Sequence, residues 1–251
     1  MDGTGQNLGF MGHVVADFPS PQAARDMVSA MIEAGITHLE IQIPFSEPVA
    51  DGPVLLAANH AALAAGVDFR KCCEFAADVT MRYAVPVYFM TYANVPFRIG
   101  WDRFAEQAHK SGVQGVIVPD LPIEESAMLD EALRKRGMHN IRVIAPNASA
   151  QRIEQICRKA SGMVYAAARS GVTGTQTTLS ADLFAFIQKI RAFTKVPVAV
   201  GFGISSRKDI EFLRGIADVA VVGSQTFREW ERGGVEAVRQ FWLGLTRLSQ
   251  G

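Results

Sequence analysis

The sequence predicts one domain, residues 1–251, folded as an α/β single (β/α)8 TIM barrel. Three observations point there. Eight short runs rich in β-branched residues alternate with longer amphipathic runs. The chain has 251 residues, an ordinary size for one barrel domain. Hydrophobic residues make up 49% of it, enough for a large core. Alternation of this kind builds a parallel sheet with right-handed crossovers, and eight units are enough to close it. An open doubly wound sheet would want a GxGxxG turn after the first strand, and none stands there.

In chain order, the strands are expected at Phe10–Val15, His38–Ile43, Val85–Met90, Gly115–Val118, Ile141–Ile144, Met163–Ala167, Val198–Val200 and Val219–Val222. The first helical pattern follows Pro19 as AARDMVSAMIEAG. The next four are FRKCCEFAADVTMRYA, WDRFAEQAHKSG, EESAMLDEALRKRG and AQRIEQICRKAS. The last three are ADLFAFIQKIRAFT, SRKDIEFLRGI and VEAVRQFWLGLTRL. Gly35, Gly112 and Gly137 follow three of these patterns, as helix ends prefer. Glu124 and Glu125 are expected to open the fourth interstrand helix, where the helix dipole favours acids.

Composition removes several function classes. Lys+Arg and Asp+Glu both number 25, so no basic surface suggests nucleic acid or a charged membrane. A local phosphate site built from backbone amides remains compatible with zero net charge. Cys72, Cys73 and Cys157 form neither a disulfide framework nor a CxxC metal spacing, and the histidines make no HExxH. No basic start followed by an apolar run marks a signal peptide, and no apolar run is long enough to span a bilayer. A cytoplasmic protein is expected.

Barrel chemistry sits at the C-terminal strand ends. After the second strand stands HLEIQIPFSEPVADGP. Alternation puts Leu39, Ile41 and Ile43 on one face, toward the helices, and His38, Glu40 and Gln42 on the other, inside the barrel. A carboxyl there is costly unless paired or functional, so Glu40 is either an ion-pair partner of a neighbouring strand or a catalytic acid. Pro44 and Pro48 stiffen the following loop, which can aim Asp51 back over the barrel mouth. Asp51, just before Gly52–Pro53, also reads as a helix N-cap.

At the other side of the mouth come three glycine-rich turns after strands six, seven and eight: RSGVTG, GFGISS and VGSQTF. Loops seven and eight with a helix N-terminus form the usual barrel phosphate site, and glycine lets backbone N–H groups approach an anion. Ser205 and Ser206 read as caps of the next helix. Gly223 and Ser224 stand between strand eight and a short helix.

PFSEPVADGP, YANV, PDLPIEES, APNA, RSGVTG, GFGISS and VGS, in this order and at these intervals, resemble the tryptophan synthase alpha subunit family over nearly the whole chain. The resemblance implies a lyase that splits indole-3-glycerol phosphate into indole and glyceraldehyde 3-phosphate, with no metal or organic cofactor. It implies a tryptophan synthase beta subunit as partner in an α2β2 complex. It gives Glu40 as general acid/base, Asp51 as the carboxylate that binds the indole N–H, and Tyr165 and Phe202 as pocket residues. Gly174, Gly203, Gly223 and Ser224 would hold phosphate. Arg169 to Gly174 would form a lid, with Thr173 meeting Asp51 on closure. The chemistry wants two carboxyls in different environments, and Asp51 is expected to stay ionised. A stand-alone lyase acting on this substrate or an analogue, and a weakly catalytic phosphosugar-binding allosteric partner, are the alternatives.

The chain departs from that family at several points. Gln42 stands where the family has glycine, and His13 where it has an apolar aromatic. Glu47 replaces a loop aspartate, and Ala168 a small polar residue. The ADFP turn after the first strand differs as well. Gln42 and His13 are expected to make the indole pocket smaller and more polar. That points to weaker turnover or an altered substrate, unless neighbouring residues compensate.

Overall fold

A computed structural model of the protein describes residues 8–168, 181–201 and 203–250, with only the backbone of 249 and 250. The strands are β1 (Gly9–Val15), β2 (His38–Gln42), β3 (Val87–Met90), β4 (Gly115–Ile117), β5 (His139–Ile144), β6 (Val164–Ala167), β7 (Val198–Gly201) and β8 (Val219–Val222). Each pairs in parallel with the next, and β8 pairs with β1, so the sheet closes into a barrel. The described helices are α1 (Pro21–Glu33), α2 (Pro53–Ala64), α3 (Phe69–Arg82), α4 (Asn94–Ile99) and α5 (Trp101–Lys110) on the first half. On the second half are α6 (Ala127–Arg134), α7 (Ala150–Lys159), α8 (Ala181–Arg191), α9 (Arg207–Leu213) and α10 (Ser224–Thr246).

Local chemistry explains the boundaries. Ser20 caps α1 by accepting from the Ala23 amide at 3.2 Å, and Pro21 occupies the first turn, where its missing N–H costs nothing. Ala24, Met27, Val28 and Met31 repeat at helical spacing and are buried on one face. β3 starts at Val87 rather than at Val85. Pro86 has no N–H to give to the ladder, but its carbonyl still accepts from Leu39 N at 2.9 Å. α6 starts at Ala127 rather than at Glu124. The residues before it make successive turns, Leu121 N to Val118 O and Glu125 N to Pro122 O, and the Ser126 hydroxyl donates to Ile123 O. α10 holds both the short helix and the C-terminal helix, divided by non-helical backbone at Gly233 and Gly234.

Two apolar shells follow from strand alternation. Leu39, Ile41, Phe89, Val198 and Val200 face the helices, together with Met27, Phe104 and Trp242 from the helical layer. Met11, Tyr88, Met90, Ile117, Ile141, Tyr165, Ala199 and Val221 fill the barrel interior. Leu39 and Ile41 are fully buried, each worth about 1.5–3 kcal/mol by transfer from water. The polar residues between them therefore have only the interior to occupy. Among the described residues, no helix is long and apolar enough to cross a membrane.

Candidate active site

Glu40 stands in the middle of β2, level with His13 on β1 and Tyr88 on β3. Its side chain enters the barrel, and the residue is 3% exposed. The ion-pair reading accounts for one oxygen of this carboxyl and leaves the other. Oε1 lies 3.2 Å from His13 Nδ1 on the neighbouring strand. Oε2 is buried and has no hydrogen-bond partner among the described residues. An unsatisfied buried acceptor is costly, of order 1–3 kcal/mol or more. It is tolerated where a ligand is meant to meet it.

Asp51 is brought to the same place by a pinned loop. Its amide donates to Pro48 O at 2.9 Å, the Ala50 amide donates to the Tyr92 hydroxyl at 3.2 Å, and the Phe45 ring stacks on Tyr92 at 5.4 Å. Buried Asn59 of α2 accepts from the Phe45 amide at 2.9 Å and donates to Leu55 O at 2.8 Å. The N-cap of α2 is Gly52, without a side-chain cap bond. The Asp51 carboxylate instead turns inward, and Oδ2 accepts from Gln42 Nε2 at 2.6 Å. The capping role open to Asp51 in the sequence is thus not the one it plays.

Gln42 is fully buried and joins the two carboxyls. Its amide nitrogen also lies 3.3 Å from Asn59 Oδ1, and its Oε1 lies 2.9 Å from His13 Nε2. Glu40, His13, Gln42 and Asp51 therefore form one continuous chain across the barrel interior. Burial disfavours the His13 imidazolium, but the Glu40 carboxylate, its hydrogen bond, Asp51 and Gln42 outweigh it and raise the pKa above 6.5. Burial raises Asp51 above the usual aspartate value, against the pull of the Gln42 hydrogen bond, His13 and Tyr92. Asp51, the loop acid expected to stay ionised, is only 7% exposed, and its charge depends on these three partners. Burial, with Glu40 and Asp51 nearby, lifts the Tyr165 phenol well above its ordinary range, so it stays protonated.

These groups line one narrow cavity with about 40 Å³ of room. Its polar side chains are His13, Glu40, Asp51 and Tyr165, and Leu55, Met90, Ile204 and Val221 are its apolar lining. Gly203, Gly223 and Ser224 complete it. Gly203 has φ +110°, a conformation that L side chains rarely adopt. Gly223 precedes α10, so the cavity meets the first residues of a helix, where free N–H groups favour an anion. Ser206 caps α9 in a reciprocal box with Asp209, as its position suggested, and Ser205 N also donates to Asp209. The Tyr165 ring crosses the interior against β7, where a Cβ on Gly201 would lie 2.0 Å from its hydroxyl.

Six residues singled out from the sequence, Glu40, Asp51, Tyr165, Gly203, Gly223 and Ser224, thus surround one space. Phe202, Arg169, Thr173 and Gly174 lie outside the described residues. Asn59 and Leu55 were not anticipated; their signal was the apolar run after Asp51, with Leu55 four residues on and Asn59 eight. Met90 could have been found two places beyond Tyr88 on the inward face of β3.

Known proteins resemble this chain along most of its length. A family model described as tryptophan synthase alpha chain matches residues 4–241. The tryptophan synthase alpha chain of Syntrophotalea carbinolica is 46% identical over 235 residues, covering 94% of this chain and 93% of the relative. That of Methanosarcina acetivorans is 39% identical, covering 89% of this chain and 81% of the relative. Among solved structures, Mycobacterium tuberculosis tryptophan synthase superposes with a TM-score of 0.90 at 27% identity, over 97% of this chain and 93% of the other. Tryptophan synthase subunit alpha from Legionella pneumophila gives 0.86 at 26% identity, over 97% and 93%.

Proposed function

Since the chain belongs to the tryptophan synthase alpha chain family, we infer that it is a carbon–carbon lyase. It cleaves indole-3-glycerol phosphate to indole and glyceraldehyde 3-phosphate, as the alpha subunit acting in tryptophan biosynthesis. The observation that carries this reading is the free Oε2 of Glu40, which shares one cavity with Asp51 and the Gly203–Gly223–Ser224 cluster. The domain we propose is the whole chain, residues 1–251, and its proposed location is the cytoplasm. Its partner is a tryptophan synthase beta subunit.

Residue roles follow from position. The phosphate sits against Gly203, Gly223 and Ser224, beside the first turn of α10. The indole lies among Leu55, Met90 and Tyr165, with its N–H toward Asp51. Glu40 gives a proton to indole C3 from the carboxyl oxygen that faces the cavity. The ring nitrogen then carries positive charge, which the Asp51 carboxylate stabilises. As the bond to the glycerol carbon breaks, its electrons return to the indole. The adjacent hydroxyl loses its proton to the Glu40 carboxylate and becomes the aldehyde. Protons balance: one leaves Glu40 and one returns. Arg169 and Thr173 belong in this scheme to a lid over the site, Gly174 to the phosphate site and Phe202 to the indole pocket.

The test is direct. The protein is incubated with indole-3-glycerol phosphate, with and without a beta subunit, and indole is measured. Indole release that rises with the beta subunit supports the reading, and no indole under either condition would end it. A second reading has its own observation: Gln42 and His13 both fill interior space beside Glu40 and Asp51. That crowding favours slower turnover than in relatives. A kcat/KM equal to that of the Syntrophotalea carbinolica protein rules it out.

A further inference from the structure

The hydrogen-bond directions around Gln42 are determined by their neighbours. Asn59 Nδ2 donates to Leu55 O, so Asn59 Oδ1 faces the Phe45 amide and Gln42. Asp51 Oδ2 is an acceptor too, so the group that Gln42 turns toward both must be its NH2. Gln42 Oε1 then faces His13, and His13 Nε2 must carry a hydrogen to meet it at 2.9 Å. With Nε2 occupied, the only variable position on the ring is Nδ1, which lies 3.2 Å from Glu40 Oε1. That contact is a hydrogen bond only if one proton lies between the two atoms. The proton belongs to His13 or to Glu40, but the pair holds it in either case.

We propose that His13 is a positioning residue for the lyase reaction: held by Gln42 as an Nε2–H donor, it forms with Glu40 a pair that keeps one proton on the Nδ1–Oε1 line and leaves Oε2 toward the cavity. This rests on the lyase reading of Glu40. The pair holds one proton at rest; the Glu40 carboxyl carries it to the cavity by turning about its Cγ–Cδ bond, so the pair holds none after protonating indole C3 and one again after taking the hydroxyl proton. Among the described residues, the charged and titratable groups facing His13 are Glu40 on β2 and Asp51 in the following loop. The Phe227 ring of α10 packs against it edge-on at 6.3 Å and brings no charge. Tyr165 of β6 lines the same cavity as a neutral phenol. Gln42 extends the link to Asp51, so the two acids report to each other through neutral and cationic donors.

The experiment is 15N NMR of histidine-labelled full-length protein, with the His13 signals assigned from a His13→Phe sample. The expected midpoint for His13 lies above 6.5 in the native chain. In Glu40→Gln it falls, because burial is then opposed only by Asp51 and Gln42. A midpoint that is the same in both proteins overturns the proposal. Kinetics supply the second arm. In His13→Phe, kcat for indole release should fall by about tenfold or more. KM should change by less than about threefold, which separates proton handling from binding. The upper limb of the pH profile should move to lower pH by about one unit, because a site for the last proton is gone. An unmoved profile overturns the proposal even if kcat falls. If the native chain releases no indole, the lyase reading fails, and the NMR comparison still decides whether the pair exists. If His13→Phe does not fold, as judged by circular dichroism, the signals are assigned instead by elimination with single variants of the other histidines, and the Glu40→Gln comparison decides.

Discussion

Gly201→Ala perturbs the site through a single atom. A Cβ at that position would lie 2.0 Å from the Tyr165 hydroxyl oxygen, 2.5 Å from Cζ and 2.8 Å from Cε1. Real Cβ contacts do not come that close, so either the ring leaves its place or β7 shifts. Tyr165 is buried inside a closed barrel, with little room for the first escape. Overpacking of this kind costs about 1–3 kcal/mol. For a chain of this length each kcal/mol lowers Tm by about 2–4 °C, so a loss of about 2–12 °C is expected by differential scanning calorimetry. Activity should fall as well, since the ring lines the cavity with Glu40 and Asp51. Combining Gly201→Ala with Tyr165→Leu removes the overlap. The double variant should lose less stability than the sum of the two single losses, by about 1 kcal/mol or more, and its activity should stay low. A Gly201→Ala protein that melts with the native chain, or strict additivity in the double variant, would refute the contact and with it the placement of Tyr165.

Other outcomes follow from the same geometry. Asp51→Asn keeps an acceptor for Gln42 and removes the charge, so indole release should fall by about 10²–10³-fold. Its stability carries a pH signature. The folded pKa of Asp51 lies above 3.8, so the folding free energy that this acid contributes is full below 3.8 and lost as pH rises through the folded value. Asp51→Asn should therefore gain melting temperature relative to the native chain as pH rises from 3.8 through the folded value, and an opposite trend in paired melts would count against the buried placement. Gly223→Ala has room within the protein: its Cβ would lie 3.8 Å from His13 and 3.9 Å from Leu55. It should melt like the native chain yet raise KM by about tenfold, because the methyl obstructs an amide that would face phosphate. An unchanged KM in steady-state kinetics would move the phosphate elsewhere.

Much of this could be read in the chain before any coordinates. The eight strands lie where β-branched runs stand, and alternation along His38–Gln42 separates the helix-facing Leu39 and Ile41 from Glu40 and Gln42. Local spacing has less to say about partners. That His13 meets Glu40 depends on the register of β1 against β2, and two residues 27 apart carry no sign of it. Asp51 before Gly52–Pro53 reads equally as a cap, and only the pinning of its loop by Tyr92 and Asn59 turns it inward. α4 escaped notice because it has six residues and contains Pro96, which is tolerated only because it lies in the first turn. The acids at 124 and 125 suggested a helix start, but Pro122 sits at a turn and delays it to Ala127.

Glu40 as the proton donor is the claim on which the rest depends, and Glu40→Gln tests it with little change of shape. The measurement is indole release by the native and variant chains under saturating indole-3-glycerol phosphate, with substrate affinity followed separately by calorimetry. A loss of about 10²-fold or more in turnover with affinity retained is the expected result. Native-like turnover in the variant would contradict the account.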